Sequence, residues 1–182
     1  GEIRDTDTAR TAIQASITGH LVLSSFHANS TSTAFSRMID MIGVNPIFSS
    51  AIRLVIAQRL VRRLVDATKE EYEPDEATRN YVKRVLAGIP ADVDCPDLDT
   101  FKLWRPKPSN DAPFGYKGRI VIMEQLIVTE EIQKYIRGDV EDVHPESIEQ
   151  TAKAEGMLTL EQVGVLAALR GETTLEEVGR VI

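Results

Sequence analysis

The first 64 residues alternate helix-like apolar spacing with short apolar runs. Apolar residues about four positions apart predict helices over residues 6–18 and 31–41. Between them, the run Leu-Val-Leu-Ser-Ser-Phe at 21–26 predicts a short buried strand. An Asn-Pro pair opens the segment 45–58, whose apolar spacing predicts a further helix. Helices that alternate with apolar strands indicate an α/β fold with a parallel sheet covered by helices.

Beyond residue 64 the pattern changes twice. Residues 65–110 are polar and acidic, and they predict a small subdomain with little core and one helix at 75–87. Residues 116–128 return to β character. The remaining segments have helical spacing, and two of them begin with capping-box pairs, at Thr159 and Gln162 and at Thr174 and Glu177. They predict helices at 129–137, 146–155, 159–170 and from 174 to the end.

Composition narrows the class of protein. The chain has 182 residues, 42% of them hydrophobic and 27% charged, which suits one soluble domain or two small ones. No apolar run approaches the roughly 18 residues of a membrane span, and no basic-then-apolar leader is present, so we expect a cytoplasmic location. The net charge of −7 argues against broad binding of nucleic acid, despite a local basic run at 53–63. The single cysteine, Cys95, excludes an intrachain disulfide.

Candidate chemistry is concentrated near the start of the chain, at Glu2, His20 and His27. Ligands of parallel sheets bind beyond the carboxyl ends of the strands, and His27 directly follows the predicted strand at 21–26. Glu2 would hold the same position after a preceding strand, so both side chains would line one crevice. A carboxylate can hold a magnesium-bound water or orient the attacking one, and an imidazole can sense a γ-phosphate. The alternative is a helix-start carboxylate and an ordinary loop histidine.

Five stretches of the chain, in order, resemble the type II secretion and type IV pilus assembly ATPases. Together they span nearly the whole sequence, and five ordered motifs are far more specific than any one. The chain also begins inside the first of them, which suggests a fragment of a longer protein. The stretches are Gly-Glu-Ile-Arg-Asp-Thr-Asp-Thr-Ala at 1–9, Thr-Gly-His to His-Ala-Asn at 18–29, Ile-Ala-Gln-Arg-Leu-Val-Arg-Arg-Leu at 56–64, Gly-Tyr-Lys-Gly-Arg-Ile at 115–120 and Thr-Thr-Leu-Glu-Glu-Val at 173–178.

The resemblance implies roles for the residues near the start of the chain. Glu2 would end the Walker B motif and support magnesium and the catalytic water. His20 and His27 would be the paired histidines of the His box, with His27 near the γ-phosphate and His20 organising the turn before the strand. Arg4 and Asp5 would tie the loop to a subunit interface; a surface ion pair and a helix N-cap are the alternative.

The glutamine-arginine stretch of the family corresponds to Gln58, Arg59, Arg62 and Arg63. For these residues the resemblance favours a structural or intersubunit role over direct catalysis. Gln58 and Arg59 are included among the residues expected to support the nucleotide site or the interface. The alternative is a solvated basic face.

Two departures from the family pattern stand out. Many members carry two Cys-x-x-Cys pairs that bind zinc, and the corresponding positions here are Val65, Thr68 and approximately Pro108 and Asp111. We therefore expect no zinc, and Cys95 is expected to be a plain thiol. The chain also contains no Gly-x-x-x-x-Gly-Lys-Ser/Thr phosphate loop, which the family places before the Walker B motif.

The resemblance implies an α/β fold: the C-terminal part of a RecA-like P-loop ATPase core at 1–64, an insertion subdomain at 65–115 and a mainly helical C-terminal subdomain at 116–182. The parent would use ATP and Mg²⁺, form a homo-hexamer, and act on an inner-membrane platform protein from the cytoplasmic side, without nucleic acid. The chain alone would be inactive.

Two alternatives remain open. The first is a pilus-retraction motor ATPase; the long insertion and the Gly-Tyr-Lys-Gly-Arg stretch favour assembly over retraction. The second is a non-catalytic assembly or partner-binding module.

Overall fold

A computed structural model describes residues 1–182 as two compact units. The first contains residues 1–57 and 124–157, and the second contains residues 58–123 and 158–182. The helices are α1 (Thr6–Ile17), α2 (Thr31–Ile42), α3 (Glu76–Val85), α4 (Glu130–Arg137), α5 (Pro145–Ala154), α6 (Leu160–Leu169) and α7 (Leu175–Val181); the strands are β1 (Leu54–Leu64), β2 (Glu70–Tyr72), β3 (Leu103–Arg105) and β4 (Tyr116–Ile127). Strand β1 pairs with β4, and β2 pairs with β3.

The helices of the first unit begin where the sequence places polar caps. The Asp5 carboxylate accepts the Thr8 N–H at 2.8 Å and starts α1, and the Ser30 hydroxyl caps α2 in the same way. Gly43 ends α2 with a φ of 80°, a conformation that favours glycine. The core of this unit is built from α2, α4, α5 and the end of β4, and includes Phe35, Ile39, Leu126, Ile132, Ile136 and Ile148.

The prediction of a buried strand at 21–26 is wrong, because the segment forms only an isolated bridge. Leu21 and Leu23 are 88% and 81% exposed, and the segment forms no ladder. Its pairing is one parallel bridge between Ser25 and Glu2, supported by the Ile3 N–H donating to the Ser25 carbonyl at 2.9 Å. A strand needs a hydrogen-bonded neighbour along its length, and residues 1–3 reach only its end. The apolar run is therefore extended and exposed.

The helix predicted over 45–58 is also wrong beyond its first turn. Asn45 does cap the segment, and Pro46–Phe48 forms one turn of 3-10 helix. The chain then becomes strand β1 from Leu54. Val55, Ile56 and Val61 are β-branched, and their exposure alternates along the strand, so β pairing outweighs the helical spacing read from the sequence.

Residues 65–110, expected to have little core, contain buried apolar side chains within the second unit. Val82 on α3 and Leu86 at its C-terminal cap pack with Phe101, Leu103 and residues of α6 in one cluster. Strands β2 and β3 are antiparallel, with Tyr72 opposite Leu103. The sequence pattern hides this core because its apolar residues are widely spaced and α6 lies far along the chain.

The later elements confirm the predicted pattern. Strand β4 and helices α4 to α7 lie within a residue or two of their predicted bounds. Thr159 and Gln162 make both bonds of the capping box of α6. In α7, Thr174 accepts the Glu177 N–H, but the Glu177 carboxylate binds Arg62 instead of returning to the cap. No helix has both the length and the apolar character needed to cross a bilayer.

Candidate functional site

Three of the predicted site residues meet at the start of the first unit. The parallel bridge places Glu2 beside Ser25, and His27 follows two residues later. Side chains two residues apart in extended chain point to the same side, so the bridge brings Glu2, Arg4 and His27 together. Arg4 donates from Nε to Oε2 of Glu2 at 2.6 Å, and its Nη2 lies 2.5 Å from the same oxygen. His27 Nε2 lies 2.7 Å from Oε1.

The Glu2 carboxylate is the shielded member of this group. Its side chain is 20% exposed, whereas His27 is 88% exposed. Oε1 receives no well-aligned hydrogen bond despite its short distance to Nε2. The 2.7 Å separation suits an Nε2–H that faces the carboxylate, because two acceptors would repel at this distance. The contact is an ion pair when the imidazole is charged.

These contacts keep Glu2 ionised. The hydrogen bond from Arg4 lowers the pKa of the Glu2 carboxyl below its ordinary value, partial burial opposes this, and the charges of Arg4 and His27 add to the lowering. A carboxylate held ionised can accept hydrogen bonds from a free or magnesium-bound water, although its lowered pKa makes it a weak base. The group therefore has the chemistry to hold and orient water.

Helix α2 positions the histidine side of the site, and its Arg37 was not predicted. Arg37 Nη1 donates to the His27 carbonyl at 2.5 Å, and its guanidinium lies over the Phe26 ring, 5.2 Å from the centroid. The sequence signal was weak. An arginine on the exposed face of an amphipathic helix usually faces solvent, and nothing in the local spacing indicates a contact ten residues back.

Glu124 is a second residue that the sequence analysis missed. It lies at an inward position of β4, is 3% exposed, and accepts the Thr31 N–H at 2.8 Å and the Thr31 hydroxyl at 2.5 Å. A carboxylate at the first turn of α2 pairs with unsatisfied N–H groups and with the positive end of the helix dipole. Glu124 thus anchors the helix that follows His27. Its charge at an inward position between Ile122 and Leu126 is a signal that could have identified it.

The other predicted residues of the first unit lie beside this group without joining it. Asp5 caps α1, and the Thr8 hydrogen bonds, the backbone one first, lower its pKa. His20 follows the end of α1; its N–H donates to the Ala15 carbonyl, and its Nδ1 lies 3.2 Å from the Thr18 hydroxyl. Its contacts are with this helix end and not with Glu2 or His27. A role of His20 in organising the turn stays a prediction.

The glutamine-arginine stretch lies on β1 in the second unit. Arg59 donates to the Gln58 carbonyl at 2.9 Å, and Arg63 pairs with Asp66 at 3.1 Å. Arg62 instead lies 2.5 Å from the buried Glu177 carboxylate and 4.3 Å over the Tyr116 ring. Arg62 is therefore built into the packing of this unit. The supporting roles of Gln58 and Arg59 stay predictions.

Two of the positions that correspond to the family's zinc-binding cysteines, Val65 and Thr68, make hydrogen bonds across the insertion. The Val65 N–H donates to the Gly115 carbonyl at 3.2 Å, and the Thr68 hydroxyl donates to the Lys107 carbonyl at 3.3 Å. Ser109 and Ala112 close their loop with two backbone hydrogen bonds. These contacts connect the two ends of the insertion in the second unit. No group of three or more side chains suited to a metal ion is present.

We expect that the chain folds and stays folded without zinc. Treatment with a chelator should leave its melting temperature unchanged, because the insertion is connected by backbone and side-chain hydrogen bonds instead of thiolates. Thermal unfolding with and without chelator, together with elemental analysis of the purified chain, checks this. Stoichiometric zinc, or a lower melting temperature after chelation, would contradict it.

The mixed α/β chain, with its carboxylate–histidine pair ahead of a helix, is consistent with part of a P-loop ATPase. The family of type II/IV secretion system proteins matches residues 1–180, and the chain belongs to this family. This confirms the resemblance read from the five motifs.

The curated relatives that match the whole chain include secretion and pilus assembly proteins. The chain is 40% identical over 183 residues to the type II secretion system protein E of Xanthomonas campestris pv. campestris. It is 39% identical over 183 residues to the type IV pilus assembly ATPase PilB of Pseudomonas aeruginosa. The chain spans about 30% of the length of each relative.

A solved structure shows the fold. The X-ray structure of the Legionella pneumophila ATPase DotB superposes on the whole chain with a TM-score of 0.59 at 18% identity, and the match covers 37% of that protein. At this identity the likeness concerns the fold alone. Together with the family match, it confirms a mixed α/β chain related to secretion ATPases; the arrangement into core, insertion and helical subdomains stays a prediction.

Proposed function

We propose that this chain is the C-terminal part of a hexameric ATPase that powers type II secretion or type IV pilus assembly. The observation that carries the proposal is the contact between Glu2 and His27, two residues that by resemblance would end the Walker B motif and belong to the His box. The family match over residues 1–180 and the names of the two relatives support it.

Within this proposal Glu2 is the residue suited to the metal and the water. Magnesium is usually bound through one or two protein carboxylates, several waters and the nucleotide phosphates. Glu2, ionised and partly shielded, would be the protein carboxylate of such a site. When bound, Mg²⁺ would neutralise charge on the phosphates. Glu2 would hold or orient water, and His27, exposed beside it, would contact the γ-phosphate. No residue arrangement here suits zinc.

The wider context follows from the family and is part of the proposal. The parent would assemble as a homo-hexamer, work at the cytoplasmic side of the inner membrane, and act on an inner-membrane platform protein without nucleic acid. Residues 1–64 would belong to the RecA-like core, residues 65–115 to an insertion, and residues 116–182 to a helical subdomain. The relatives' names favour assembly over a retraction motor.

The chain alone is expected to bind ATP weakly and to hydrolyse none. The 182 residues contain no Gly-x-x-x-x-Gly-Lys-Ser/Thr sequence. Such a loop supplies the backbone N–H nest, the lysine and the magnesium-binding hydroxyl that hold the β- and γ-phosphates. Arg4 and His27 can offer only solvent-screened contacts, because both are largely exposed.

Isothermal titration with Mg²⁺ and ATP, at millimolar nucleotide, tests this on the chain itself. A longer protein that also carries the family's phosphate loop should bind ATP tightly and hydrolyse it, whereas the chain should do neither. Micromolar binding by the chain, or hydrolysis above that of a Glu2→Ala variant, would contradict the expectation. A longer protein that binds and hydrolyses nothing would favour the non-catalytic partner-binding module.

A further inference from the structure

We propose that Arg37 is a positioning residue that holds the His27 imidazole against Glu2. The effect of Arg37 on catalysis rests on the proposed function, but the contact between His27 and Glu2 can be measured without nucleotide. Arg37 touches the backbone of the histidine and the ring before it, and not the carboxylate. It acts through His27.

The backbone around His27 needs such a restraint. Phe26, His27 and Ala28 lie in no helix or strand and make no backbone–backbone hydrogen bond. Before this segment, Ser25 forms the bridge to Glu2, and after it, Ser30 caps the start of α2. A segment between two fixed points, without bonds of its own, samples several conformations. The imidazole direction would then vary with them.

Arg37 supplies two contacts of different kinds to this segment. Its Nη1 donates a charge-assisted hydrogen bond to the His27 carbonyl at 2.5 Å. The face of the same guanidinium lies over Phe26, with Cζ 5.2 Å from the ring centroid. One planar group thus restrains both residues, since Arg can stack and donate at once in a way that Lys cannot.

The helix that carries Arg37 is itself firmly held. Its first turn is fixed by the Ser30 cap and by the bonds from Thr31 to the buried Glu124. Phe35 and Ile39 on its inner face are 0% and 3% exposed. Arg37 therefore projects from a rigid element toward a segment that has little rigidity of its own. This is the arrangement by which a scaffold places a reactive side chain.

Imidazole nitrogen spectra of the intact 182-residue chain, recorded at one fixed pH, test the contact directly. The chain has three histidines, and the exposed His20 and His144 serve as internal references. Glu2→Gln should move the His27 signals alone. Arg37→Ala and Arg37→Met should move them in the same direction, and Arg37→Lys should move them less. Arg37→Met keeps an apolar stem near Phe26 and removes the hydrogen bond. The matched control is Arg10→Ala, an exposed helical arginine of α1.

The outcomes separate clearly. The inference is overturned if the His27 signals in Arg37→Met match those of the unaltered chain, or if Glu2→Gln leaves them in place. Melting temperatures identify any variant that unfolds, in which case Arg37→Lys decides. In a longer protein that hydrolyses ATP, Arg37→Ala should lower kcat roughly tenfold or more with little change in KM, since misplacing a catalytic group costs turnover more than binding. An inactive longer protein would overturn the proposed function and leave the spectral result standing.

Discussion

Glu2→Gln in a longer, ATP-hydrolysing form of this protein should lower turnover by a factor on the order of 10² to 10⁴ while ATP affinity stays nearly unchanged. The substitution keeps the size and shape of the side chain and removes its charge. Glutamine cannot accept a proton from water, and it loses the attraction to Arg4 and to a charged His27. The phosphates are held mainly by other parts of the site, so binding is spared.

Steady-state hydrolysis and nucleotide titration on the same preparations measure the two effects separately. The matched control is Glu146→Gln, the same acid-to-amide change at an exposed position of α5. It should leave both quantities unchanged. A Glu2→Gln protein with turnover close to that of the control would show that Glu2 is not the residue that activates water.

Glu177→Gln should destabilise the second unit by roughly 2–4 kcal/mol at neutral pH. The Glu177 side chain is 2% exposed. Arg62 donates to it from N at 3.1 Å and from Nη2 at 2.5 Å, and Arg180 donates from Nε at 3.1 Å and from Nη2 at 2.9 Å. The amide can accept only part of this set, and its NH₂ group would face guanidinium donors. Both arginines are about half exposed and can be rehydrated, which limits the cost.

The same carboxylate sets an acid limit on stability. Hydrogen bonds from Arg62, then from Arg180, lower the pKa of Glu177 from 4.5 to about 2 against the effect of burial. A group whose pKa is lower in the folded state stabilises the fold above its unfolded pKa. This contribution, on the order of 3 kcal/mol, is therefore present above about pH 4.5 and is lost as the pH falls toward 2.

Urea unfolding at several pH values between 7 and 2.5 checks both expectations. The unaltered chain should lose stability more steeply below pH 4.5 than Glu177→Gln does. Glu176→Gln, on the exposed side of the same helix, is the matched control and should follow the unaltered chain. Equal stability of the two variants at neutral pH would contradict the role assigned to Glu177.

Elements with local signals were predictable from the sequence, and elements that depend on distant partners were not. Helices α1, α2 and α6 begin at Asp5, Ser30 and Thr159, whose side chains bond the first turn of their own helix. The segment 21–26 has the composition of a strand, but a strand is defined by the neighbour that pairs with it. The segment 45–58 has helical spacing, and pairing with β4 makes its second half a strand.

The candidate site divides in the same way. Glu2 and His27 each had an ordinary structural alternative, and the family motifs that include them made them candidates. Arg37 bonds the His27 carbonyl, ten residues earlier in the chain. Glu124 bonds the first turn of α2 at Thr31, ninety-three residues earlier. Their contributions depend on the fold that brings them into contact. Only the inward position of a charge at Glu124 could have signalled its role.

Under the proposed function, the grouping of Arg4, Glu2 and His27 would also set the charge that an approaching nucleotide meets. A carboxylate alone would repel a triphosphate. Here the guanidinium of Arg4 offsets the charge of Glu2, and a protonated His27 would leave the group with one positive charge in excess. The group is thus neutral or attractive to polyanions. This attraction should weaken with added salt, since the groups are exposed and the screening length at physiological ionic strength is about 8 Å.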